Sequence, residues 1–133
     1  STSGAVLYTI DPVALSGSDL VWVTRDGKAT PVDSMWHGRF EYPALSPDGS
    51  AIAVSLREKT TELWIRSANG TRRKVIAGGI ANWRAAWAAD GRSFTFISIR
   101  SADTTGNDVA VYRANAEGSG SPQLLLKYRF GLW

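Results

Sequence analysis

Apolar residues in this chain come in short runs broken by Gly, Pro, Asp and Ser, and no stretch holds helical spacing over three turns. Such a pattern predicts strands joined by tight turns. Residues 5–10 (AVLYTI), 51–56 (AIAVSL) and 93–98 (SFTFIS) are the clearest strands. Each follows a small turn ending in glycine: Ser3-Gly4, Asp48-Gly49 and Asp90-Gly91. In Ser46-Pro47-Asp48-Gly49, Pro47 presets its φ, Asp48 bonds back to the backbone, and Gly49 accepts a positive φ.

These units recur. Asp48 and Asp90 stand 42 residues apart, as do Trp22 and Trp64. Variable loops, residues 11–18, 57–61 and 100–107, follow the three apolar strands. A further strand then opens on an acid each time: Asp19-Leu-Val-Trp-Val, Glu62-Leu-Trp-Ile and Asp108-Val-Ala-Val-Tyr. Hairpin turns at Asp26-Gly27, Asn69-Gly70 and Glu117-Gly118 lead to closing strands at 30–32, 73–76 and 122–126. Four short antiparallel strands in a repeat of roughly 40–45 residues make one blade of a β-propeller. The runs AVLYTI, AIAVSL and FTFI are apolar on both faces, as a blade held between neighbours requires. The predicted fold is therefore all-β, with three blades: 1–34, 40–77 and 83–127, followed by a tail at 128–133. The first blade lacks its inner strand, which gives three, four and four strands.

The motifs carry a resemblance. Tyr42-Pro-Ala-Leu-Ser-Pro-Asp-Gly-Ser-Ala-Ile-Ala-Val resembles the TolB-like β-propeller repeat, whose mark is Ser-Pro-Asp-Gly between an aromatic or apolar first strand and an apolar second one. Trp87-Ala-Ala-Asp-Gly-Arg-Ser-Phe-Thr-Phe is similar, with Ala88-Ala89 replacing Ser-Pro. Leu20-Val-Trp-Val-Thr-Arg-Asp-Gly-Lys-Ala-Thr-Pro-Val looks like a segment of propellers attached to bacterial serine/threonine kinases and related multidomain proteins. The resemblance implies a fold; its members host scaffolding, sensing and enzyme-gating roles, so it does not choose among functions.

Propellers close with four to eight blades, and three leave apolar faces and strand edges uncovered. The expectation is a head-to-tail homodimer closing a six-bladed ring, with residues 128–133 crossing to lie beside residues 5–10 of the partner. The chain lacks an initiator Met, so it is expected to be processed or excised; a natural half-propeller and a piece cut from a longer propeller both fit, and the abrupt end at Trp133 leans towards the cut piece.

Composition narrows the chemistry. The chain has 133 residues, of which 44% are hydrophobic and 20% charged, with a net charge of +3. Arg72-Arg73-Lys74 is its one basic run, and no aromatics interleave with it for base stacking, so nucleic acid is not an expected partner. No apolar run is long enough to span a bilayer as a helix, and the N-terminus carries no basic leader, so no membrane partner is expected either. With no cysteine there is no disulfide framework or thiolate metal site, which fits a soluble protein of cytoplasm or periplasm.

Asp48 and Asp90 read as turn residues. Asp19, Glu62 and Asp108 open equivalent strands and are expected to stack around one end of the ring. Asp103 and Asp108 flank a polar loop without the ligand spacing of a calcium site. His37, the sole histidine, has no neighbouring Cys or acid pair in the sequence and is a poor candidate for metal or general-base work. No nucleophile elbow, phosphate loop or zinc-protease motif is present.

Neither catalysis, cofactor nor metal is expected. Trp36, Phe40, Trp83, Phe130 and Trp133 sit in or beside the segments joining blades; packing accounts for most, and a subset is the best candidate for contacting a protein or peptide. The reading is a non-catalytic propeller module for protein or peptide binding or sensing, part of a larger bacterial protein. The alternative is part of the gating propeller of a prolyl-oligopeptidase-like hydrolase whose catalytic domain lies outside this sequence.

Overall fold

The computed structural model describes residues 6–10, 17–103 and 106–131. Among them are eleven strands and no helix. Strands β1 (Val6–Ile10), β2 (Asp19–Val23) and β3 (Ala29–Pro31) form an antiparallel sheet in that order. Next come β4 (Arg39–Leu45), β5 (Ala51–Arg57), β6 (Thr61–Ser67) and β7 (Arg72–Ile76). The last four are β8 (Ala81–Trp87), β9 (Ser93–Asp103), β10 (Gly106–Asn115) and β11 (Gln123–Gly131). One parallel bridge, Thr61 to Ala81, joins β6 to β8, so the last eight strands are two four-stranded blades touching at a corner. A second isolated bridge, Ser18 to Gly38, marks the same corner between the first and second blades. The architecture is three, four and four strands of a partial β-propeller.

Why the blades stack is visible in β5. Ile52, Val54 and Leu56 point one way and join Leu20, Trp36 and Phe40 in a buried cluster shared with the first blade. Ala53, on the opposite face, joins Leu63, Ile65, Ile76, Phe94 and Phe96 in a second cluster shared with the third blade. Alternation sends neighbouring side chains to opposite faces, and here both faces are covered. Phe94 and Phe96 are almost wholly enclosed, and each contributes about 2–3 kcal/mol by leaving water.

The turn chemistry holds as expected. Gly49 has φ 75° and donates to the Ser46 carbonyl at 2.9 Å; Gly91 has φ 66° and donates to the Ala88 carbonyl at 3.0 Å. The loss of Ser-Pro in the second copy leaves this bond intact, because only the glycine must reach the left-handed region. Each of these turns is also tied to the hairpin beside it, through Ala68 N–H to Ser50 O and Ala116 N–H to Arg92 O.

Four expectations change. First, the described part of residues 100–107 is strand and not open loop: β9 runs to Asp103 and β10 starts at Gly106, with Ser101 opposite Asp108 and Ala102 opposite Asn107. Second, residues 128–131 of the tail stay with their own blade, the last two lying outside the described residues. Tyr128 to Gly131 continue β11 and pair with Val109 to Gly106, so the lengthened hairpin of β9 and β10 gives these residues a local partner. Third, the two tryptophans 42 residues apart are not equivalent. Ile10 pairs Asp19 and Leu56 pairs Glu62, which matches Trp22 with Ile65 and puts Trp64 one position earlier. A one-residue shift reverses the face. Trp22 from the first blade and Trp64 from the second therefore pack against the same cluster. Fourth, the three acids do not form one set. Asp19 and Glu62 correspond, but a bulge after Asp108 and the register of β9 place Ala110 where Glu62 stands.

Candidate binding edge at the inner strands

The first strand of each complete blade, β4 and β8, pairs with its own second strand along one edge only, apart from the corner bridge. These two strands pack against each other. In a closed ring the first strands surround the central channel. Both carry a bulge at the same place: register shifts between Glu41 and Ala44 on β4, and between Trp83 and Ala86 on β8. Within the bulges sit the two non-glycine residues with positive φ among the described residues, Tyr42 at 51° and Arg84 at 56°. They are 42 residues apart, six before Asp48 and Asp90 respectively. A bulge that needs this conformation ordinarily takes glycine; a larger side chain there costs on the order of 1–3 kcal/mol.

The two side chains meet across the seam. The Arg84 guanidinium carbon lies 4.5 Å from the centre of the Tyr42 ring, a cation–π contact, and Tyr42 is 45% exposed. Among the described residues no carboxylate pairs with Arg84. Beside them a cleft of about 220 Å³ is bordered by Glu41, Arg57 and Trp83. A second cleft, about 320 Å³, adjoins it, sharing Glu41 and Arg57 and reaching Arg39 and Ser18. Arg57 bonds Glu41 at 2.8 Å. Arg39 lies directly opposite Arg57 across β4 and β5, a like-charge pairing that weakens a sheet, and no described carboxylate pairs with it. The strip thus holds three guanidinium groups and one carboxylate.

The five residues singled out from the sequence fall in different places. Trp36 (8% exposed) and Phe40 (3%) are buried in the seam between the first two blades, their rings edge to face at 4.8 Å. Arg72 covers Trp36 at 5.4 Å. Neither presents a face to a partner. Trp83 is half-buried and borders the cleft beside Arg84. Phe130 lies in β11 opposite Asn107. Trp133 lies outside the described residues. Tyr42 and Arg84 were missed, although their equal distance from the turn aspartates was there to be read.

The acids are committed to structure. The Ser46 hydroxyl, then the Ser50 amide and hydroxyl, hold the Asp48 carboxyl at about 2, below its ordinary 3.8. Burial pushes the Asp33 carboxyl up, but hydrogen bonds from Arg66, Arg72 and the Met35 amide outweigh it and leave its pKa lowered. This carboxylate ties the first blade to the second. His37 Nδ1 lies 2.8 Å from Asp19 Oδ1 in an exposed pair. Among the described residues no three His, Cys, Asp or Glu gather as a metal site.

No protein-family model and no curated protein sequence matches the chain. Solved structures do. A protein described as a TolB from Agrobacterium tumefaciens is similar at 20% identity and a TM-score of 0.76, over 96% of this chain and 47% of that one. TolB from Acinetobacter baumannii is similar at 17% identity and a TM-score of 0.70, over 92% and 29%. Acylaminoacyl peptidase of Pyrococcus horikoshii follows at 16% identity and 0.60, over 96% and 23%. The chain spans less than half the length of each. The likeness is one of fold: the chain has the architecture of part of a β-propeller, as these proteins do.

Proposed function

We propose that the chain is a non-catalytic propeller module, part of a larger bacterial protein or assembly, that binds a protein or peptide segment at its channel edge. The observation that carries this reading is the exposed Tyr42–Arg84 pair, held in a costly backbone conformation beside two clefts on the inner strands. Strain retained at an exposed, repeat-equivalent position is a mark of function rather than of packing. Aromatic and arginine side chains are also the usual anchors of protein contacts. Selection of displayed random peptides on the immobilised chain tests it. Enrichment of peptides competing at one site is expected; no enrichment from a diverse library would overturn the reading.

The ring is completed by a second copy, head to tail. On the third blade Ile97, Val111 and Leu126 form one cross-strand row facing away from the second blade, and Leu126 is 61% exposed. An outer apolar face of this kind needs a neighbouring blade. Sedimentation at micromolar concentration is expected to give twice 14.4 kDa. Leu126→Glu should return the monomer, and a wild-type monomer would refute closure by self-association.

A second reading has one observation in its favour: a prolyl endopeptidase structure is similar at 16% identity and a TM-score of 0.65, over 92% of this chain and 21% of that one. Under it, the chain is part of a gating propeller in front of a hydrolase domain. A downstream Gly-x-Ser-x-Gly motif in the encoding reading frame would favour it over the first.

A further inference from the structure

Resting on the binding module just proposed, we infer that the inner-strand strip is a receptor for carboxylates, and that its ligand is an acidic peptide segment. Arg39, Arg57 and Arg84 line two adjoining clefts that contain a single acid, Glu41, already bonded to Arg57 at 2.8 Å. Two guanidinium groups are therefore left over, one in each cleft. Arg39 is held opposite Arg57 across the β4–β5 pair, where like charges repel unless an anion sits between them. The Arg84 guanidinium carbon stands 4.5 Å over the centre of the Tyr42 ring, a cation–π contact that restrains the side chain at the cleft. A planar fork suits a carboxylate in bidentate geometry better than a point cation would.

A chain with acidic residues a few positions apart meets both ends of the strip at once. Single-stranded nucleic acid fits less well: Tyr42 is one exposed ring where base stacking calls for several. The backbone argues in the same direction. Tyr42 and Arg84 occupy left-handed positions that glycine would fill without strain, and only their side chains give the sequence a reason to keep them there.

The test uses fluorescence anisotropy with a labelled Asp-Gly-Asp-Gly-Asp-Gly peptide, its Asn-Gly counterpart, and a labelled hexathymidylate. The acidic peptide should bind at least tenfold more tightly than the neutral one, and the affinity should fall as salt is raised. Arg84→Gln and Arg39→Gln should each weaken it about tenfold, and Arg84→Lys should recover only part of the loss. Tyr42→Gly should weaken binding about fivefold while leaving the melting temperature equal or higher. A melting temperature that falls with binding unchanged would make the bulge residue purely structural and overturn the inference. Equal affinity for the neutral peptide, or tighter binding of hexathymidylate, would overturn it as well. If random selection yields neutral peptides indifferent to Arg84→Gln, this inference fails while the binding module stands; if it yields none, both fail.

Discussion

Asn82 should be the most sensitive polar residue in the molecule. It has no exposed surface and sits on β8 at the corner where the second and third blades touch. Its Nδ2 donates to the carbonyls of Thr61 at 3.1 Å and Gly78 at 2.9 Å, and its Oδ1 accepts from the Ser98 hydroxyl at 2.8 Å. Three elements thus meet on one side chain. Asn82→Ala removes all three bonds, each contributing about 1 kcal/mol net, and leaves two carbonyls and a hydroxyl buried. Water entering the polar cavity would restore part of this. The expected loss is about 3 kcal/mol, a large share of the roughly 5–15 kcal/mol that holds such a domain folded.

Ser98→Ala breaks only one of the bonds and should cost about 1 kcal/mol. The double variant should lose less than the sum, because both remove the same 2.8 Å contact. Asn82→Asp should be worse than alanine, since a carboxylate would face two carbonyl oxygens without a donor. Urea unfolding followed by tryptophan fluorescence reads all four, at one protein concentration because association adds stability by mass action. A loss below about 0.5 kcal/mol for Asn82→Ala, the range of ordinary surface changes, would refute the idea that this amide holds the blades together.

Three further outcomes are expected. Asp33→Ala should destabilise by about 2 kcal/mol in the same assay, between the values for exposed and buried pairs, because Arg66 and Arg72 both lose their carboxylate. Asp48 titrates near 2 when folded against an ordinary 3.8, so its support is complete above pH 4 and fades as pH falls through 2. Melting curves of Asp48→Asn should accordingly be flatter than wild type across that window. Gly79→Ala should cost about 2 kcal/mol, as its φ is 74° and an added Cβ would stand 2.8 Å from the Ile99 carbonyl oxygen; thermal melting would show it.

What could be read directly from residue order is whatever depends on near neighbours. The Asp-Gly and Asn-Gly turns, the strand count and the apolar character of both faces of β5 follow from turn chemistry and alternation within a few positions. Their spacing was enough to give blades. Other features turn on which strand pairs with which, and where a pairing slips. The bulges at Tyr42 and Arg84 make two distant residues stack, and a one-position shift sends Trp22 and Trp64 into the same seam. Trp36 and Phe40 resemble exposed anchors along the chain, yet stacking of two blades encloses them. The lengthened β9–β10 hairpin claims residues 128–131, which local pattern would have released. Register and blade-to-blade contact are long-range properties, settled by the summed burial of whole sheets, and no short window of sequence contains them.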